Sequence, residues 1–335
     1  MRILRAWQTA FLALAAVWGC SFWWMKLGLV ALSPLGVAFG RLLLGALALS
    51  IALLVSRAGL PRNRRTWGHL AVVAVLLNSV PFTLFAFGET LISSVLAGII
   101  NAMTPLATLV VVLAAYPEER PSRDRVIGLV IGFLGVLVVL GVWHGVTSGE
   151  AAGALACLTA VTCYGLAYPY VRRHLSSTGE APLPLATAQV LLGGLILLPV
   201  VVLEQLAGRG VVTGPWAWDA VLGMLALGVL GSGLAYVLNF RVIAAAGAAT
   251  ASAVTYLTPV VAVAVGVAVL GEHVAWYQPV GAGIVLAGVA AGQGRFSRSR
   301  RTTRPPAPGP GTPPWPPVPA HRRSPRSSAG GFREP

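Results

Sequence analysis

Charge is what this sequence has least of. Only 10% of its 335 residues are Asp, Glu, Lys or Arg, against about 25% in a soluble domain. With 56% hydrophobic residues beside so little charge, a soluble globular class is excluded and the chain belongs in lipid. Ten-residue alternation of apolar and polar residues is missing too, which excludes a transmembrane barrel. Cysteine is scarce: Cys20, Cys157 and Cys163 all lie within apolar runs. With no paired loop cysteines and no metal-ligand spacing, apolar packing is their expected role, and neither a metal site nor a cofactor is called for. Carboxylates are rare and peripheral, since Glu89, Glu118, Glu119, Glu150, Glu204 and Glu272 all fall at or near the ends of apolar runs. A buried acid is the usual proton carrier of a pump, so proton coupling through a central acid is disfavoured.

What is there is a succession of apolar runs, each long enough to cross a ~30 Å hydrocarbon layer as a helix. Ten occur, at Trp7–Leu29, Pro34–Val55, Gly68–Gly88, Ile92–Ala115, Val126–Trp143, Ala151–Val171, Leu183–Leu203, Ala217–Phe240, Ala246–Leu270 and Ala275–Gly292. Gly and Pro are frequent inside them, as spanning helices tolerate. The stretch ending at Cys20 has a leader-like outline. Bulky Trp18 and the continuing run SFWWM argue that this first span is retained.

The net charge of +14 is not a nucleic-acid signal, because more than half of it falls after residue 294, where nine arginines meet a single glutamate. That segment, 295–335, is rich in Arg and Pro with almost nothing apolar to bury, and is expected to be a disordered tail. Its arginines are placed to contact anionic headgroups, or simply to anchor the topology. With the N-terminus inside, cytoplasmic segments collect Arg57, Arg62, Arg64, Arg65, Arg120, Arg123, Arg172, Arg173 and the tail, while the outside receives only Lys26 and Arg209. That asymmetry follows the positive-inside rule for an even number of spans with both termini cytoplasmic.

The sequence also repeats itself. AGIINAMTPLATLVVVLAAYPEE, from Ala97, and ASAVTYLTPVVAVAVGVAVLGEH, from Ala251, each carry Thr-Pro in an apolar run and a glutamate thirteen residues after the proline, 154 residues apart. Trp18-Gly19 recurs as Tyr164-Gly165 and Lys26 as Arg172, both at an offset of 146; Pro34-Leu35 recurs as Pro184-Leu185, and Gly128 and Gly135 as Gly281 and Gly288. The repeating unit therefore has five spans. Because five is odd, the second copy enters the membrane upside down, the inverted-topology architecture of many secondary transporters. The expected fold is an all-α membrane protein of ten transmembrane helices in two inverted five-helix repeats, residues 1–145 and 146–294, followed by the tail.

WGCSFWWMK in the first span, AFGRLLLGAL in the second, the Thr-Pro segments ending in PEE and GEH, and the glycine-spaced closing helices together resemble the EamA-type drug/metabolite transporter superfamily. The resemblance covers about residues 8–292. It implies a ten-helix carrier of small metabolites, often an exporter of amino acids or related compounds. One departure is Pro117-Glu118, where the family's usual Gly-Glu is kept only in the second half, as Gly271-Glu272.

Several residues are candidates for a binding cavity. Arg41 lies about eight residues into the second span; it either faces protein and substrate or snorkels to the headgroups. Asn101, Gln189 and Asn239 are uncharged polar residues in apolar runs, serving either a cavity or helix–helix hydrogen bonds. Trp18, Tyr164, Tyr236 and Tyr256 lie inside spans, where they fill the core or line a mostly apolar cavity suited to an amphipathic solute. Pro81, Pro105, Pro169 and Pro259 remove backbone bonds within spans and are candidate hinges or rigid bends. Glu118 and Glu272 are read as helix-end or interface residues.

These features describe a carrier in the cytoplasmic membrane whose partners are a small-molecule substrate and the bilayer. Two other classes stay open: a membrane-embedded enzyme acting on lipid-linked substrates, which would need a cluster of acid, His, Ser or metal-ligand residues at one membrane face, and a non-transporting sensor or assembly protein, whose function would fall to the tail.

Overall fold

The computed structural model describes residues 6–115, 123–144, 147–175, 178–246 and 253–292. Glu118 and the expected tail lie outside them. Among the described residues the protein is all-helical, with no strand beyond an isolated bridge between Leu32 and Val212. The helices are α1 (Ala6–Gly28), α2 (Pro34–Val55), α3 (Arg64–Glu89), α4 (Ser94–Asn101), α5 (Thr104–Ala115), α6 (Arg123–Val139), α7 (Ser148–His174) and α8 (Pro182–Leu206). Then come α9, whose pieces Trp218–Leu225, Ala226–Leu234 and Ala235–Ala246 run on without a break, α10 (Thr258–Leu270) and α11 (Tyr277–Gly292). Among the described residues, seven helical stretches are long and apolar enough to cross a membrane: α1, α2, α3, Ser94–Val111, α7, α8 and Trp218–Val242. The expected spans over 126–143, 246–270 and 275–292 appear as the shorter helices α6, α10 and α11.

Local chemistry sets the helix ends. Ser33 accepts a hydrogen bond from the Gly36 amide and Pro34 follows as the first helical residue of α2, a position where its missing N–H costs nothing. Ser93 caps α4 in the same way, and Thr147 with Glu150 forms a reciprocal capping box at the start of α7. α10 stops at Gly271, whose φ of +65° is the left-handed conformation that glycine adopts without strain.

The prolines act differently from one another. Pro105 and Pro259 each begin a helix, α5 and α10, just after a break in the run. Pro81 follows a π-helical turn, Val75–Ser79, within α3. Pro169 makes no break, because α7, packed along α3 and α5, stays helical through it.

Residues Met1–Ser297 cluster as one compact unit. α1 packs on α9 and α10, while α7 packs on α3, α4 and α5; α2 lies against α8 and the π-helical part of α9, while α8 lies against α2, α3 and its π turn. α6 and α11 pair along glycines, so closely that a Cβ on Gly135 would meet Val285 N at 2.6 Å. Outward faces carry large apolar side chains such as Leu54, Leu206 and Trp218, which is unstable in water and natural in lipid. The molecule is a multi-pass membrane protein.

Candidate functional site: an aromatic cavity around Arg41

Where α1, α2, α3, α4, α7 and α9 converge they line a cavity of about 80 Å³. Six of the eight residues singled out in the sequence line it: Trp18, Arg41, Asn101, Tyr164, Tyr236 and Asn239. Gln189 stands behind it, and the Tyr256 side chain lies outside the described part of the structure.

Arg41 is only 5% exposed and turns inward, away from the headgroups. Its Nε donates to Ser232 Oγ at 3.1 Å, across to the π-helical part of α9. Its guanidinium carbon sits 3.6 Å from the centroid of the Phe82 ring, a cation–π contact. No carboxylate lies within ion-pair distance of it among the described residues. A buried guanidinium with five donors and one side-chain hydrogen bond keeps hydrogen-bonding capacity for whatever enters the cavity.

The walls are mainly aromatic. Trp18 meets Tyr236 edge-on with centroids 6.3 Å apart, and Phe85 stacks near Tyr164 at 6.0 Å. Tyr236 is fixed by polar groups behind it: Gln189 Nε2 donates to Asn78 Oδ1 at 2.8 Å, and Asn78 Nδ2 donates to the Tyr236 hydroxyl at 2.8 Å. That hydroxyl in turn donates to the Leu77 carbonyl at 3.3 Å. Pro81 explains the last bond, since a proline four residues on has no N–H to offer the Leu77 carbonyl. Pro105 leaves the Asn101 carbonyl free in the same way, and Thr104 Oγ1 donates to it at 2.8 Å. Both prolines therefore shape the cavity wall, where carbonyls lose their helical partners and gain side-chain ones.

Sequence reasoning missed several lining residues, among them Ser21, Phe22, Phe82, Tyr168 and Thr255. Two were within reach. The offset of 146 that pairs Trp18 with Tyr164 also pairs Phe22 with Tyr168, and the offset of 154 pairs Asn101 with Thr255. Ser232 gave no such signal, because its partner Arg41 is 191 residues away.

Three charged residues at or near the ends of apolar runs make contacts that their sequence positions do not reveal. Lys26, taken as a charge left outside the membrane, is partly buried and donates from Nζ to the main-chain carbonyls of Glu89 at 2.7 Å and Ile92 at 3.3 Å. Glu89 does end its helix as expected, yet it is completely buried, because α4, α7 and Lys26 close over that end of α3. Glu272 follows the end of α10 and caps another helix: its carboxylate accepts from the Ser94 and Val95 amides of α4, both at 2.9 Å, where the N-terminal dipole favours an anion.

The sequence is similar to those of known transporters. The EamA-like transporter family matches residues 5–141 and again 151–291. The chain is 22% identical over 291 residues to the uncharacterized transporter YoaV of Bacillus subtilis, covering 86% of this chain and 97% of that one. It is 25% identical over 281 residues to the uncharacterized inner membrane transporter YedA of Escherichia coli, covering 83% of this chain and 87% of the relative. One solved crystal structure shares the fold at a TM-score of 0.58 and 17% identity, over 85% of this chain and 98% of the other.

Proposed function

The chain belongs to the EamA-like transporter family and is a membrane transporter; on that premise we propose that it is a secondary carrier, moving a small amphipathic metabolite with a carboxylate or phosphate group across the cytoplasmic membrane by alternating access. The observation that carries the substrate class is Arg41, a buried cation facing an aromatic cavity with no carboxylate within ion-pair distance among the described residues. A solute anion would complete the charge and take up the free donors of the guanidinium, while Trp18, Tyr164 and Tyr236 would cover its apolar part. Amino acids and organic acids fit better than cations, and export is the direction the family resemblance suggests.

Alternating access is supported by the packing. With α4 left aside, exchanging α1 with α7, α2 with α8, α3 with α9, α5 with α10 and α6 with α11 turns each principal contact of these helices into another one found in the structure. The polar contacts follow suit: Arg41 of α2 reaches the π-helical part of α9, and Gln189 of α8 reaches the π turn of α3. Two inverted five-helix halves, meeting near residue 146, account for that reciprocity and for the ten runs of the sequence. The cavity is smaller than the roughly 300–1,000 Å³ of ligand pockets, so its helices would have to part to admit substrate. Both termini would face the cytoplasm, with the arginine-rich tail against anionic lipid.

Counterflow tests this. Proteoliposomes holding the full chain are preloaded with each member of a panel of amino acids, organic acids, phosphate esters and organic cations. Accumulation of the matching labelled solute is expected for one or a few anion-bearing compounds. Accumulation of cations alone would remove the substrate class, and none across a broad panel would remove the carrier reading.

A further inference from the structure

At the end of the bundle that carries Lys26, one side chain is in an unusual position. Glu89, the last residue of α3, is 0% exposed, and neither of its carboxyl oxygens has a hydrogen-bond partner. A buried carboxylate normally has donors or a cation on it. The groups facing Glu89 come from every element around it: Lys26 from α1, Cys157 from α7, Ser94 from α4, Glu272 from the segment after α10 and, farther off, Arg41 from α2. Lys26 forms no ion pair with the carboxyl, because its ammonium is held on the Glu89 and Ile92 main-chain carbonyls. Ser94 Oγ is likewise buried without a partner.

What is missing is a group on the two Glu89 oxygens. Both oxygens of Glu272 are held by backbone amides. With Lys26 and Glu272 both engaged by main-chain groups, an ionised Glu89 would be buried with no donor on either oxygen, a cost that a proton on one of them relieves. A metal cation does not fit the same place. It would lie beside an ammonium, and the two carbonyls best placed to ligate it are already taken by Lys26.

From this we infer that Glu89 is a proton-binding site of the carrier. One proton joins a carboxylate oxygen when this end of the bundle closes, and leaves to water when it opens and the carboxylate becomes hydrated. The inference rests on the transporter reading above and supplies its coupling ion. The site is linked to the cavity by two short routes. Phe85, one turn earlier on α3, lines the cavity, and α4 runs from Ser94 beside Glu89 to Asn101, another cavity residue whose Oδ1 is buried without a partner. Any movement of α4 that widens the cavity also disturbs the closure over Glu89. The sequence reading, which disfavoured an acid as proton carrier, looked for it at mid-span; the structure seals it at a helix end instead.

The test is infrared difference spectroscopy of the full chain in lipid vesicles as the bulk pH is raised. Wild type is expected to lose the carbonyl band of one protonated carboxylic acid per chain. Glu89→Gln should lack that band, Glu89→Asp should shift its midpoint, and Glu272→Gln should retain it. A band that persists in Glu89→Gln, or no such band in wild type at any pH, overturns the inference. So does sodium or potassium that abolishes the band at fixed pH, since the site would then be a cation site. In a background without native cysteines, Ser21→Cys reports access to the cavity. Its labelling rate by an impermeant thiol reagent should change by up to about tenfold per pH unit near the midpoint and be independent of pH after Glu89→Gln. A rate that ignores pH while the Glu89 band titrates would overturn the coupling. None of these readouts needs a transported solute, so their failure leaves counterflow to judge the carrier reading separately.

Discussion

The chain of hydrogen bonds from Gln189 through Asn78 to Tyr236 holds a cavity wall in place, and its energy can be measured without knowing the substrate. Asn78 and Gln189 are at most 1% exposed, and their side chains meet at 2.8 Å across a sequence separation of 111 residues. Asn78→Ala removes the acceptor of Gln189 and the donor to the Tyr236 hydroxyl at once, stranding a buried amide. A stranded buried polar group costs about 1–3 kcal/mol, so a loss of roughly 2 kcal/mol is expected. Gln189→Leu removes one of those bonds and fills a similar volume, for about 1 kcal/mol. Once Gln189 is gone, Asn78→Ala strands less, and the double variant should be less destabilised than the two losses added together. Interhelical hydrogen bonds in membranes average about 0.6 kcal/mol by such cycles and reach about 1.7; with both groups fully buried, the coupling here should fall in the upper half of that range. Reversible unfolding in mixed micelles at increasing SDS measures all four proteins. Losses that add to within about 0.3 kcal/mol would refute a network shared by Gln189, Asn78 and Tyr236, because uncoupled sites behave that way.

Other perturbations address separate parts of the reasoning. Arg41→Gln should lower transport of the anionic solute found by counterflow by about tenfold, equivalent to ~1.4 kcal/mol of binding, with Arg41→Lys recovering only part, since an ammonium lacks the planar fork; equal transport per folded carrier in all three proteins would show that Arg41 does not touch substrate. Gly281→Val should cost about 1–3 kcal/mol or prevent folding, because a Cβ there would meet the Val139 amide nitrogen at 2.5 Å and the Gly135 carbonyl oxygen at 2.9 Å. Gly283→Ala, with nothing within 4 Å of the new Cβ, should melt like wild type; equal melting of both variants would contradict the close α6–α11 packing. For orientation, single cysteines near Arg62 and Arg173, in a background without native cysteines, should resist an impermeant thiol reagent in intact cells while those near Glu150 and Gly210 label. Labelling of both sets from outside would remove the arrangement with both termini in the cytoplasm.

Much of this molecule could be read along the chain. Lipid cannot hydrogen-bond a backbone, so a spanning segment must satisfy its own, and its length and apolarity are written in contiguous residues. Hence α1, α2, α3, α7 and α8 lie where the apolar runs predict, and the family was recognisable from short motifs within them. The repeated text also matched Trp18 with Tyr164, and both line the cavity. Burial, by contrast, belongs to a residue's neighbours. Nothing near Glu89 in the chain says that Lys26 and α4 will close over it, and nothing beside Arg41 points to Ser232. Lys26 and Glu272 look like interfacial charges because each follows an apolar run. Only when distant helices meet does one occupy two carbonyls and the other the amides that start α4. Sequence fixes which segments must leave water, since that cost is local; which polar groups find partners, and which one is left without, is decided by contacts that exist only after the helices pack.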